Sequence, residues 1–187
     1  MEPVNGIVES SEPVVPAGPS GEDLAGTVAA VASAVAKSLS PGDRSALRRL
    51  MPESPNTAAF WKIVVDLLEP RAVLPAVGPA RDAAERKWAV LVRGMALMPG
   101  YHSASSRMGA ALARADFSEL RLLRLLRARG RALETELTSA IRFLAARPAH
   151  LDWTEPARLL LAGREDRKES IRRQIARDYY RAQNQKS

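Results

Sequence analysis

Residues 119–144, ELRLLRLLRARGRALETELTSAIRFL, decide the fold class. At 100° per residue, Leu122, Leu125 and Leu126 share one face. Arg121, Arg124 and Arg127 fall within an arc of about 120° on roughly the opposite face. Beyond Gly130 the apolar residues Leu133, Leu137, Ile141 and Leu144 recur at helical spacing. The stretch therefore predicts two amphipathic helices interrupted at Gly130. Ser118 and Glu119 open the first, and Pro148 ends the second.

The same signals extend in both directions. Upstream, MGAALARA predicts a short helix, and YHSASSRMG before it a polar linker. RDAAERKWAVLVRGMALM predicts a long helix with Trp88, Leu91, Val92 and Met95 inward, stopped by Pro99-Gly100. PRAVLPAVGPA, with three prolines, reads as a loop or broken turn. TAAFWKIVVDLL, capped by Asn56, and DRSALRRLM, capped by Asp43, are two more helices. Leu24, Val28, Val31, Val35 and Leu39 mark the first helix, which Ser40-Pro41-Gly42 stops. Downstream, Asp152 or Thr154 caps a helix that tolerates Pro156 in its first turn, and 165–182 is the last, with Ile171, Ile175 and Tyr179 inward. No window alternates with period two. The reading is all-α, with about eight or nine helices in two small bundles, 22–100 and 104–187. Residues 1–21, acidic and rich in Pro and Gly, read as a disordered tail. Trp61, Trp88 and Trp153 sit in apolar patterns that assign them to the core.

The chain has 187 residues, no cysteine and two histidines, His102 and His150. A disulfide scaffold, a thiol nucleophile and a thiolate metal site are excluded, and the histidines are too few for a histidine-rich one. GxxxxGK[ST], HExxH and GxSxG motifs are absent, and Asp152 near His150 reads as a helix cap beside a loop histidine. No catalytic residue, metal or cofactor is expected. The N-terminus lacks the basic start and apolar core of a signal peptide, and no stretch is apolar enough to span a membrane, so a cytoplasmic location is expected.

Charge placement carries the functional signal. The chain holds 23 Arg and 5 Lys against 21 acids, a net charge of +7. The Arg excess, beside 32 Ala, fits codon composition as well as phosphate binding. Residues 1–40 carry net −4, so 41–187 carry net +11. A basic folded part is a footprint of nucleic-acid binding, or of a solvated charged surface. Within their helix, Arg121, Arg124 and Arg127 have no acid at i+3 or i+4 on the C-terminal side, and mutual repulsion costs a few tenths of a kcal/mol per pair. A ligand that collects phosphates would relieve it. Adjacent Arg48 and Arg49 form a second cluster. A third, GREDRKESIRRQIARDYYR, mixes bases with acids, Glu165 and Glu169 pairing along the helix with bases such as Arg173, so self-pairing competes with phosphate binding. Tyr180 and Tyr179 could stack on bases, although Tyr179 lies on the core side.

The order of motifs resembles the small-subunit family, often called CasB, of the type I-E CRISPR Cascade surveillance complex. The resemblance rests on Leu47-Arg48-Arg49, then Ala59-Phe60-Trp61, RMGAALARA, RLLRLLRARG, Leu151-Asp152-Trp153 and a basic helix ending ARDYY, across residues 24–182. Ala162-Gly163 departs from the family pattern, standing where relatives often carry an aromatic. The resemblance implies a non-catalytic, all-helical subunit. It would join other Cascade subunits and a second copy of itself on a guide-RNA ribonucleoprotein. It would hold the displaced single-stranded DNA on a basic face, stabilising the R-loop in antiviral defence. Arg49 and Arg127 stand at the family's basic positions, with Arg48, Arg121, Arg124 and Arg131 as neighbours. Arg167, Lys168, Arg172 and Arg173 align in the last helix. Two other readings stay open: a basic helical scaffold for an acidic protein, and a helix-turn-helix regulator. The regulator would need polar base-reading residues, and the only such cluster, RAQNQKS, reads as a C-terminal tail.

Overall fold

The computed structural model describes residues 21–147 and 149–186, with side chains from Asp23 onward. The tail expected over 1–21 lies outside the described residues except for Gly21, which opens the first helix. Pro148 lies outside them too. Nine α-helices and no strand form among the described residues. Helix α1 (Gly21–Ser33) continues into one π-type turn, Ala34–Ser38. Helix α2 spans Pro41–Arg48, and α3 (Ala58–Ile63) runs on through a π-type turn to a 3₁₀ turn at Glu69–Arg71. Then follow α4 (Pro79–Leu97), α5 (Met108–Arg114), α6 (Glu119–Arg127), α7 (Gly130–Ala145), α8 (Thr154–Leu161) and α9 (Glu165–Asn184).

Two caps fall on residues other than the expected Asp43 and Asn56. Ser40, read as part of a stop, accepts the amide of Asp43 at 3.0 Å and opens α2, with Pro41 in its first turn. Proline there loses no helical hydrogen bond, so Ser-Pro-Gly starts one helix as it ends another. Thr57, not Asn56, caps α3 by accepting the amide of Phe60 at 3.3 Å. Trp153 takes the N-cap position of α8, and Asp152, one residue earlier, supports the helix start with its Oδ1 accepting the amide of Thr154 at 2.9 Å. Gly130 has φ +51°, a conformation that costs glycine little, and so separates α6 from α7.

The buried apolar residues form one cluster running from Leu24 to Ala182. Trp88 and Trp153 lie wholly inside it. Trp61 does not: its side chain is exposed on α3, because neighbouring Phe60 takes the inward position. Two glycines set how closely helices approach. At Gly94 an added Cβ would lie 2.6 Å from the Trp153 ring, which joins α4 of the first half to the second. At Gly109 it would lie 2.1 Å from the carbonyl oxygen of Ile175, so α5 rests directly on the α9 backbone.

The polar segment 101–107 is laced to the strand-like approach to α8. Leu151 N donates to Tyr101 O at 2.9 Å, Ser103 N to Leu151 O at 3.1 Å, and Ser106 Oγ to His150 O at 2.6 Å. Glu155 of α8 accepts from Met108 N at 2.6 Å and from Arg107 at 2.8 Å, and Arg107 also pairs with Asp178 of α9 at 2.6 Å. This buried node fixes the start of α5. Of the C-terminal RAQNQKS, read as a tail, residues 181–184 belong to α9 and Lys186 Nζ donates to Ala113 O and Asp116, both at 2.7 Å, closing the other end of α5; Ser187 lies outside the described residues.

Candidate nucleic-acid interface

Helix α6 builds the most regular basic surface. Its leucines Leu122 and Leu125 are buried and Leu126 is partly so, which turns Arg121, Arg124 and Arg127 outward. The helix packs on α7 and α9. Arg124 pairs with Glu136 of α7 at 2.6 Å, so the acid that α6 lacks three or four residues away is supplied by the next helix. That pair is exposed on the arginine side, and such pairs are worth only ~0–1 kcal/mol, little enough for a phosphate to displace. Arg121 lies over the Phe143 ring at 5.5 Å. Arg127 has no ion pair among the described residues.

The other basic residues singled out by sequence separate into different settings. Arg48 is exposed, but its Nε donates to Ala96 O at 2.9 Å near the C-terminal end of α4, an interaction that a helix C-terminus favours. Arg49 is exposed and donates to Ser45 Oγ at 2.9 Å. Arg48 ends α2 and Arg49 is its C-cap, and α2 packs on α3 and α4 rather than on α6. Arg131 sits on α7 about 140° around the helix from Glu136. It lines a cavity of about 350 Å³ with Arg93, Arg142, Glu53 and Glu134, on a different flank from Arg124. In α9, Arg167 is exposed, and Arg173 is exposed beside Glu169 at 3.4 Å. Lys168 is half-buried within electrostatic reach of Lys87 of α4. Burial, then repulsion from Lys168, pushes the Lys87 ammonium below its usual pKa against the pull of Glu134.

Arg172 departs from the expectation of a phosphate contact. It is 3% exposed, with Nη1 donating to Glu165 at 2.5 Å and Nη2 to Ala128 O at 3.2 Å. It ties the start of α9 to the α6–α7 junction. Arg129 reinforces the tie through Glu165 at 2.8 Å. Among the basic groups that the sequence reading did not single out, Arg93 and Arg142 line one cavity and Arg114 and Arg147 another. They lie on helix flanks or near helix ends and belong to no repeating pattern. Among the described residues, no group of three acidic or histidine side chains could hold a metal ion. No helix there is long and apolar enough to cross a membrane.

The geometry thus offers an outward arginine ridge on α6, one turn between successive charges, with no repeating set of base-reading amides. Residues 43–180 match the family model described as CRISPR-associated protein Cse2 (CRISPR_cse2). No curated protein matches the chain. The match covers well over half of the residues, so the chain belongs to the Cse2 family, which implies a subunit of the type I-E CRISPR Cascade.

Proposed function

We propose that this Cse2-family subunit is non-catalytic and stabilises the R-loop by holding the displaced DNA strand on α6. The observation that carries the reading is the ridge of Arg121, Arg124 and Arg127, exposed over a buried leucine face. Phosphates carry no base identity, so such a ridge binds strands without regard to sequence. R-loop formation exchanges one duplex for another of similar stability, and modest backbone contacts can tip it. Arg49, at the C-cap of a separate helix, would meet another part of the same strand or the guide ribonucleoprotein. The partners are other Cascade subunits, a second copy of this chain, the guide-RNA particle and the displaced strand, in the cytoplasm. The cavity of Arg93, Arg131 and Arg142, mixed with Glu53 and Glu134, suits a protein neighbour better than a continuous phosphate chain.

The test is single-stranded DNA binding by the full chain across a salt series. Affinity should be weak, independent of sequence, and fall with a log–log slope of about −0.7 per phosphate contacted. Replacing the three α6 arginines by alanine should make that slope shallower by about 2. An unchanged slope removes α6 from the interface, and a strong preference for one duplex sequence favours a regulator.

A further inference from the structure

We propose that the cavity between α5 and the end of α7 takes one nucleotide of the strand carried by α6, holding its phosphate with Arg114 and Arg147 and its base against His150. The proposal rests on the reading of α6 as a strand track and extends that track to residues outside it.

The cavity measures about 750 Å³, within the range of small-molecule sites. Its wall is held in place. The 101–106 and 149–152 segments that form it are joined by the backbone bonds of Tyr101, Ser103 and Leu151 and by the Ser106 hydroxyl on His150 O. Two arginines reach it from different helices. Arg114 ends α5 and is exposed, with no ion pair among the described residues. Arg147 follows α7, and its guanidinium stands 4.3 Å over the Phe143 ring. Arg121 of α6 lies over the same ring at 5.5 Å. Phe143 therefore carries one cation from α6 and one from the cavity, which brings the two surfaces to a shared side chain.

The one acid lining the cavity among the described residues, Asp116, feels Arg147 but takes its hydrogen bond from a third cation outside the pair. Asp116 is engaged by Lys186 at 2.7 Å, and that hydrogen bond holds its carboxyl below the usual carboxylate range. The remaining lining adds groups that a bare anion would not need. Ser103 and Ser105 carry hydroxyls 3.0 Å apart, either of which can donate. The His150 ring is exposed and backed by Tyr101, with centroids 5.4 Å apart. Paired guanidiniums suit a phosphate, and a free ring face suits a base, because stacking accepts any base. An acidic peptide would use the arginines alone.

The experiment measures binding of the full chain to two labelled strands of about 15 nucleotides, one of thymidylates and one of abasic sugars. Wild type should prefer thymidylate by roughly fivefold or more, the usual scale of one stacked base. His150→Ala should abolish the preference and leave the salt slope unchanged. Arg114→Ala with Arg147→Ala should weaken both strands about tenfold and make the slope shallower by about 1.4. If that double variant loses helical signal, Arg114→Glu alone carries the test, with at least the same loss. Equal affinity of wild type for the two strands overturns the proposal. So does wild-type binding by the arginine variants, or loss of complex assembly without loss of DNA affinity. If wild type binds neither strand, the α6 reading falls as well. If only the α6 variant loses binding, the cavity proposal alone falls.

Discussion

Glu155→Ala should strip the support from the start of α5. The Glu155 side chain is buried and accepts two donors, Met108 N at 2.6 Å and Arg107 at 2.8 Å. Met108 N is the first amide of α5 and has no carbonyl partner within its helix. Without the carboxylate it is left buried and unsatisfied, which costs ~1–3 kcal/mol. Arg107 keeps Asp178 at 2.6 Å, and its side chain is about half exposed, so losing one partner there costs only ~0.2–1 kcal/mol. The expected loss is therefore ~1–4 kcal/mol, centred on about 2–3. For a chain of this size that lowers the thermal midpoint by roughly 5–10 °C. Glu155→Gln keeps the shape but turns an amide N–H toward one of the donors, and should lose about half as much. Circular dichroism melts at pH 7 give the midpoint, and hydrogen exchange at Met108 reports the local opening. A midpoint within about 1 °C of wild type, with unchanged protection of Met108, would refute the reasoning.

Other outcomes follow from the same contacts. Gly109→Ala should cost ~2–4 kcal/mol in urea unfolding, since its Cβ would meet Ile175 O at 2.1 Å and a helix-propensity gain of ~1 kcal/mol cannot offset a backbone clash. A neutral result would mean that α5 and α9 do not touch there. Arg172→Ala should destabilise by ~1–3 kcal/mol because it empties the space of a buried side chain that ties α9 to the α6–α7 junction, while Arg129 still holds Glu165 and Ala128 O; Arg127→Ala, on an exposed side chain, should change stability by less than ~0.5 kcal/mol. Equal effects would contradict their different burial. A hydrogen bond from Arg172, then the charges of Arg172 and Arg129, hold the Glu165 carboxyl below its ordinary value of 4.5. Its stabilisation is fully present above that value and lost as pH falls through the lower folded pKa. The midpoint gap between wild type and Glu165→Gln should therefore hold from pH 7 to about 5 and shrink below about 4. A gap that persists undiminished at pH 3 would contradict the pairing.

Helix identity was legible because apolar spacing survives into burial: Trp88, Leu91, Val92 and Met95 all face the core of α4. Burial of one particular residue was less so. Phe60 and Trp61 are about 100° apart on a helix, and spacing alone does not say which turns inward. The outward turn of Arg121, Arg124 and Arg127 was also legible, since a leucine face dictates it. Their partners were not, because Glu136 and Phe143 come from another helix. Arg172 read as one more charge on a basic helix. Its burial depends on Ala128 O, a carbonyl distant in sequence, and local pattern carries no trace of it. The cavity of Arg114 and Arg147 was invisible for the same reason: it exists because 101–106 and 149–152 are laced together.

R-loop yield tests the central claim most directly. The complex would be assembled with Arg121, Arg124 and Arg127 changed to alanine and challenged with two targets at physiological salt. One is fully paired, and the other carries a pre-opened bubble whose non-target strand cannot reanneal. Each lost phosphate contact removes on the order of 1 kcal/mol, so three lower the R-loop equilibrium by up to ~100-fold. The prediction is a complex that assembles, loses yield on paired DNA and regains most of it on the bubble. Wild-type yield on fully paired DNA would contradict the account.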